Sequence, residues 1–162
     1  MVKKYLVVLV CLMVGACSSN TIYSEYTSLN NGRWKASDTL QFQFKSTDSL
    51  YPNHVYINVR NNNEFEFSNL FLITKLETPL GDTTLDTLEF EMAAPDGSWL
   101  GNGRGSIKES RLWYRENIVF KESGVYTFNI VHAMRKNGEV RGMESLKGIT
   151  DVGLEIEKSK TP

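Results

Sequence analysis

The chain has 162 residues, of which 41% are apolar, with 18 Lys+Arg against 19 Asp+Glu and a formal charge of −1. That is one domain's worth of polypeptide, long enough to bury a core. Its near-balanced, mixed charge excludes the basic face that a nucleic-acid binder needs.

Lys3 and Lys4 precede an apolar run over residues 5–14, and small residues follow it. This is the layout of a secretory signal peptide. The run is about half of the ~20 residues that a membrane-spanning helix requires. Val14-Gly15-Ala16-Cys17 resembles the lipobox of bacterial lipoproteins: an aliphatic residue, two small residues, then cysteine. In proteins with that motif the Cys thiol is acylated, the chain is cut just before it, and the new amine is acylated as well. Carried over, residues 1–16 form a lipoprotein signal peptide and Cys17 is the lipidated first residue of the mature chain. Two or three acyl chains anchor a protein stably. Loss of residues 1–16 leaves 16 basic and 19 acidic side chains, or −3. Cys11 departs with the signal peptide and Cys17 is spent on lipid. The pattern therefore predicts no intrachain disulfide, no thiolate metal site and no cysteine nucleophile.

Residues 17–37 are polar and reach the turn signal Asn30-Asn31-Gly32. They read as a lipidated tether holding at most a short strand near Ile22 to Tyr26. From residue 38 the side chains alternate with the period of half-buried strands. Leu40, Phe42 and Phe44 oppose Gln41, Gln43 and Lys45; Val55, Ile57 and Val59 oppose His54, Tyr56 and Asn58. Residues 64–67 alternate again and lead into an apolar strand over 70–76. Leu88, Phe90 and Met92 mark the next strand. Residues 93–111 break the rhythm with Pro95-Asp96-Gly97 and three closely spaced glycines, and 107–112 read as one helical turn. Ile118 and Phe120 open a strand that turns at Ser123-Gly124 into the strand 125–134. Residues 138–148 read as a mobile loop. Val152, Leu154 and Ile156 form the last inward row. Short strands, frequent turns and one polar face per strand predict a two-sheet antiparallel β-sandwich over residues 38–162, Ig-like or jelly-roll-like.

No catalytic pattern stands out. Gly101-Asn102-Gly103-Arg104-Gly105 lacks the Lys-Ser/Thr ending of a phosphate loop, so its glycines read as positive-φ loop positions. His54 and His132 have no partner at metal-ligand spacing. Glu64 and Glu66, like Glu89 and Glu91, alternate with core residues, as a solvated strand face does. No cofactor is predicted. The aromatic residues Trp34, Trp99, Trp113 and Tyr114 are candidates either for plugging the ends of the sandwich or for binding a partner or a glycan. Recognition usually sits on loops displayed by a rigid scaffold. That points to segments 95–111 and 135–147, which with the residue just beyond the first supply Trp99, Arg104, Arg111, Trp113, Arg135, Arg141 and Met143 as candidate partner-binding residues. A hairpin between 118–121 and 125–134 would bring the two segments to one end.

Gly97 to Gly103, Ser123-Gly124-Val125-Tyr126-Thr127-Phe128, Ala133-Met134-Arg135 and the ending Asp151-Val152-Gly153-Leu154-Glu155-Ile156-Glu157-Lys158 resemble the gliding-motility lipoprotein GldH family of the Bacteroidetes. The resemblance covers nearly the whole mature chain. It implies a lipidated, non-enzymatic envelope protein that acts with other proteins of the gliding machinery and its associated secretion system. It carries no catalytic residues over. The competing reading is a carbohydrate-binding lipoprotein of a glycan-uptake system. Surface-exported lipoproteins of this phylum carry an acidic cluster after the cysteine, whereas Ser18-Ser19-Asn20-Thr21-Ile22-Tyr23 has none. The expected location is the outer membrane, facing the periplasm.

Overall fold

Ten strands and one short 3-10 turn make up the computed structural model, which describes residues 20–47 and 50–159. The strands are β1 (Thr21–Ser28), β2 (Arg33–Lys35), β3 (Leu40–Ser46), β4 (Asn53–Asn61), β5 (Asn69–Glu77), β6 (Thr83–Glu91), β7 (Lys108–Ile118), β8 (Gly124–His132), β9 (Ser145–Lys147) and β10 (Ile149–Lys158). One antiparallel sheet has the order β1-β10-β4-β7 and the other β3-β8-β5-β6; β2 and β9 form a separate ribbon. The candidate lipidation site Cys17 lies outside the described residues.

Alternation explains why the two sheets face each other. Leu40, Phe42 and Phe44 of β3 point inward with Tyr126, Phe128 and Ile130 of β8. From the opposite sheet come Val55, Ile57 and Val59 of β4 and Val152, Leu154 and Ile156 of β10. Rings close the gap between the layers. Tyr114 meets Phe128 edge-on at 4.8 Å, and Tyr23 meets Phe44 at 5.6 Å. Each such buried side chain contributes roughly 1.5–3 kcal/mol relative to exposure. Of the inward row expected over 88–92, Met92 is buried but Leu88 and Phe90 are only partly so, because β6 is an edge strand.

The pairing has a simple rule. β5 pairs with β6, β4 with β7, β3 with β8, β2 with β9 and β1 with β10. The chain is one long hairpin, folded at the 78–82 turn and rolled up into two layers, which is the jelly-roll form of sandwich. Nesting fixes two poles. At the near pole the described residues begin and end, and β3–β4, β5–β6 and β7–β8 are joined. At the far pole lie the 29–39, 62–68, 92–107 and 133–148 connections. Backbone bonds tie each pole together. Lys158 N–H donates to Asn20 at 2.9 Å at one, and Gly148 N–H donates to Gly32 at 2.8 Å at the other.

Four expectations change. Residues 21–35 are not a tether: β1 and β2 belong to the sandwich, and the Trp34 ring is fully buried. Their polar composition reflects an edge strand, and their partners lie more than a hundred residues away. Residues 107–112 are not helical. Ser110, Leu112 and Tyr114 alternate inward against exposed Arg111 and Trp113, so β7 runs through them. Ile118 ends β7 rather than opening a strand; Phe120 is a buried residue of the crossover into the other sheet, so the hairpin between 118–121 and 125–134 does not form. Within 138–148, residues 145–147 are strand β9, held to β2 through the pair Trp34–Leu146.

Candidate functional site

Trp99, Arg104, Arg135, Arg141 and Met143 meet at the far pole, for a reason other than the hairpin. Both of their segments flank the 62–68 connection. Trp99 is half-buried, with its ring 6.0 Å from that of Phe65. Met92 N–H, just beyond β6, donates to Ser68 at 2.7 Å. On the other side of the same connection, Met143 packs half-buried against the core while its N–H donates to Met134 at 2.8 Å. Between the 62–68 connection and residues 136–147 opens a groove of about 450 Å³, lined by Phe67, Arg141, Met143, Glu64, Glu66 and Glu144 among others. Its floor offers apolar surface and its rim charges of both signs.

The glycine-rich stretch is a turn inside this pole. Asn102 and Glu109 exchange backbone bonds at 2.8 and 2.7 Å, with Gly103 and Gly105 at positive φ between them. Gly101 serves differently: a Cβ there would meet Ser110 Oγ at 2.7 Å. Arg104 is thereby presented to solvent.

Arg111 and Trp113 are elsewhere, on the outer face of the β1-β10-β4-β7 sheet. The Arg111 guanidinium binds Glu155 at 3.1 Å and Glu157 at 2.8 Å. The hydrogen bond from Arg111 holds the Glu157 carboxyl below its ordinary pKa. Trp113 is half-exposed, 4.4 Å from the Tyr56 ring and 5.4 Å from His54. Further along the same face, Arg60 binds Glu109 at 2.8 Å, and the Tyr26 hydroxyl donates to Glu109 at 2.8 Å. Burial pushes the Glu109 carboxyl up, but the bonds from Arg60 and Tyr26 outweigh it and hold it low. Burial, with the bond to Glu109, pushes the Tyr26 phenol up to about 12. These charges are engaged with one another, as a structural network is.

The arginines thus divide by location. Arg60, Arg111 and Arg115 on β4 and β7 each hold a carboxylate. Arg33, Arg104, Arg135 and Arg141 at the far pole are exposed and make no ion pair among the described residues. Arg33 and Phe67 belong to this surface and were not apparent from sequence. One lay in an assumed tether and the other in an assumed strand, and only the nested pairing brings them there.

The other candidates have structural roles. Trp34 Nε1 donates to the Asp38 carbonyl at 2.9 Å, and the Tyr114 hydroxyl donates to Asp86 at 2.7 Å. His132 is buried against the Trp34 ring, and burial lowers its pKa; His54 sits on the outer face of the other sheet. Among the described residues no three His, Cys, Asp or Glu side chains come together as a metal-ligand set.

Comparison with known proteins follows the same outline as the domain. The family model described as GldH lipoprotein matches residues 21–156, from β1 into β10. A protein of Christiangramia forsetii named gliding motility lipoprotein GldH homolog is 44% identical over 155 residues, covering 96% of this chain and 94% of that one. The gliding motility lipoprotein GldH of Flavobacterium johnsoniae is 40% identical over 153 residues, covering 94% of each. Likeness to solved structures is slight. Dimeric latent PorU from Porphyromonas gingivalis aligns with TM-score 0.37 at 11% identity, over 90% of this chain and 14% of that one. Matched from its first strand to its last by one family model and by relatives of its own length, the chain belongs to the GldH lipoprotein family.

Proposed function

We propose that this lipoprotein is anchored through Cys17 in the outer membrane, faces the periplasm, and acts without catalysis by docking other envelope proteins of the gliding and secretion machinery on its far pole. The observation that carries the reading is the division of the arginines. Guanidiniums on β4 and β7 are paired, whereas Arg33, Arg104, Arg135 and Arg141 stand exposed at one pole and make no ion pair among the described residues. Arg, Met and aromatic side chains are enriched in interface cores, and planar guanidiniums suit bidentate binding of carboxylates. The groove beside them adds an apolar seat at Phe67 and Met143. The partner this surface fits presents carboxylates around an apolar anchor.

Charge reversal tests the reading. Arg104→Glu combined with Arg141→Glu is expected to weaken in-cell cross-linking to envelope proteins while the melting temperature stays nearly unchanged, since neither side chain supports the fold. Undiminished cross-linking by a folded double variant would move the docking surface elsewhere.

A further inference from the structure

We propose that the near pole rests on the bilayer, with Leu50, Tyr51 and Leu80 entering the lipid interface. The inference depends on the anchor at Cys17 proposed above. Three peptide units separate Cys17 from Asn20, so even a fully extended chain spans no more than about 11 Å. Asn20 is itself held in place. Its carbonyl accepts a bond from Lys158 N–H at 2.9 Å, and the next residue, Ser159, donates to the Pro52 carbonyl at 2.9 Å. The beginning of the domain is therefore tied to the end of the β3–β4 connection. Leu50 and Tyr51 stand there, 85% and 68% exposed.

The 78–82 turn belongs to the same pole. Its Pro79 lies against Gly124 at the start of β8, and Leu80 beyond it is 78% exposed. Ile22 and Val125 flank the pole and are half-exposed. Leucine and tyrosine at loop tips are what a water–lipid interface accepts: the aliphatic tip enters the acyl boundary and the phenol stays at the headgroups. Charges around these tips are mixed, with Lys45 and Lys121 offset by Asp82 and Glu122. The contact is apolar rather than electrostatic. A protein partner could also cover exposed leucines, but only the bilayer is brought within reach by the covalent structure itself. The far pole, with its unpaired arginines, then faces away from the membrane.

The test uses the full-length lipidated chain carrying Leu50→Cys, Leu80→Cys or Val140→Cys. Each cysteine is labelled with an environment-sensitive fluorophore, and the protein is reconstituted into vesicles of phosphatidylethanolamine and phosphatidylglycerol. Val140 is the comparison site, 89% exposed at the far pole. Labels at 50 and 80 are expected to be quenched by nitroxide-bearing lipids and the label at 140 not. Quenching is expected to persist without phosphatidylglycerol, and strict dependence on that lipid would overturn the apolar contact. If the protein floats with the vesicles and mass spectrometry finds Cys17 acylated, yet labels at 50 and 80 are quenched no more than that at 140, this inference falls and the anchor stands. If Cys17 is unacylated or the protein fails to float, both fall.

Discussion

The Arg111 guanidinium lies 3.5 Å from the centre of the Tyr56 ring, across the paired strands β7 and β4. Glu155 and Glu157 of β10 hold it from the far side. One side chain thus fastens three adjacent strands of a sheet. The contact is partly exposed, so stacking and ion pairing together contribute about 1 kcal/mol rather than several. Arg111→Ala is expected to lower the melting temperature by roughly 2–4 °C. Arg111→Lys should recover only part of that, because an ammonium neither stacks flat nor forks between two carboxylates. Thermal unfolding followed by circular dichroism checks both, and an unchanged melting temperature in Arg111→Ala would refute the role.

Gly148 is the residue on which the far pole closes. It has φ +83, its N–H donates to Gly32, and its carbonyl accepts from Asn62. A Cβ there would fall on the backbone of Phe65. Gly148→Ala therefore combines left-handed strain with overlap against main chain that cannot give way, and should destabilise by roughly 2 kcal/mol or more. Gly105, at φ +77 with open space around it, supplies the control: alanine there costs about 1–2 kcal/mol from strain alone. Urea denaturation of the two variants should rank them in that order; equal midpoints would contradict the close approach.

Stability should decline as the solution is acidified from neutrality. His132 is 5% exposed, and burial depresses its pKa from the ordinary 6.5. A group depressed in the folded state favours folding above its unfolded pKa, and that contribution is lost as the pH falls through the folded value. The loss therefore begins near about pH 6.5 and continues below it. Glu157, held low by Arg111, acts only below its own ordinary value of 4.5. His132→Leu is expected to flatten the urea midpoint between about pH 6.5 and pH 5. A variant with the wild-type slope would place the effect on another group.

Cys17→Ser is expected to abolish labelling by a fatty-acid analogue and to leave the signal peptide uncut at this position, because the hydroxyl cannot form the thioether. Label retained at the wild-type level would show that the lipid sits elsewhere.

Much of the sandwich was legible in local pattern. The inward row of β3, Leu40, Phe42 and Phe44, and that of β10, Val152, Leu154 and Ile156, follow from period two alone. What pattern could not supply was pairing. β1 carries Ile22, Tyr23 and Tyr26 in an otherwise polar run, and it is a strand only because β10 lies beside it. The outward parity of Arg111 and Trp113 was available in principle from the inward Ser110, Leu112 and Tyr114. The glycine-rich break before Lys108 masks that parity in the sequence. The far-pole residues Trp99 and Met143 were found through their chemistry. Their shared location rests on the 62–68 connection that both segments flank, which no local signal announces.

Nested pairing also sets an order of events. The partners of β5–β6 are separated by a short turn, whereas β1–β10 joins Thr21 to Glu157. Closure entropy grows with that separation, so zipping outward from the central turn is the favoured route, and such long-range pairing is slow. A chain that emerges amino end first meets this order in reverse. β1 arrives before every other strand and is matched only when β10 has followed. Until then its strand edge stays unpaired, the kind of edge that invites pairing with the wrong chain. Biogenesis of this domain thus depends on keeping its first strand from other partners until its last has been delivered.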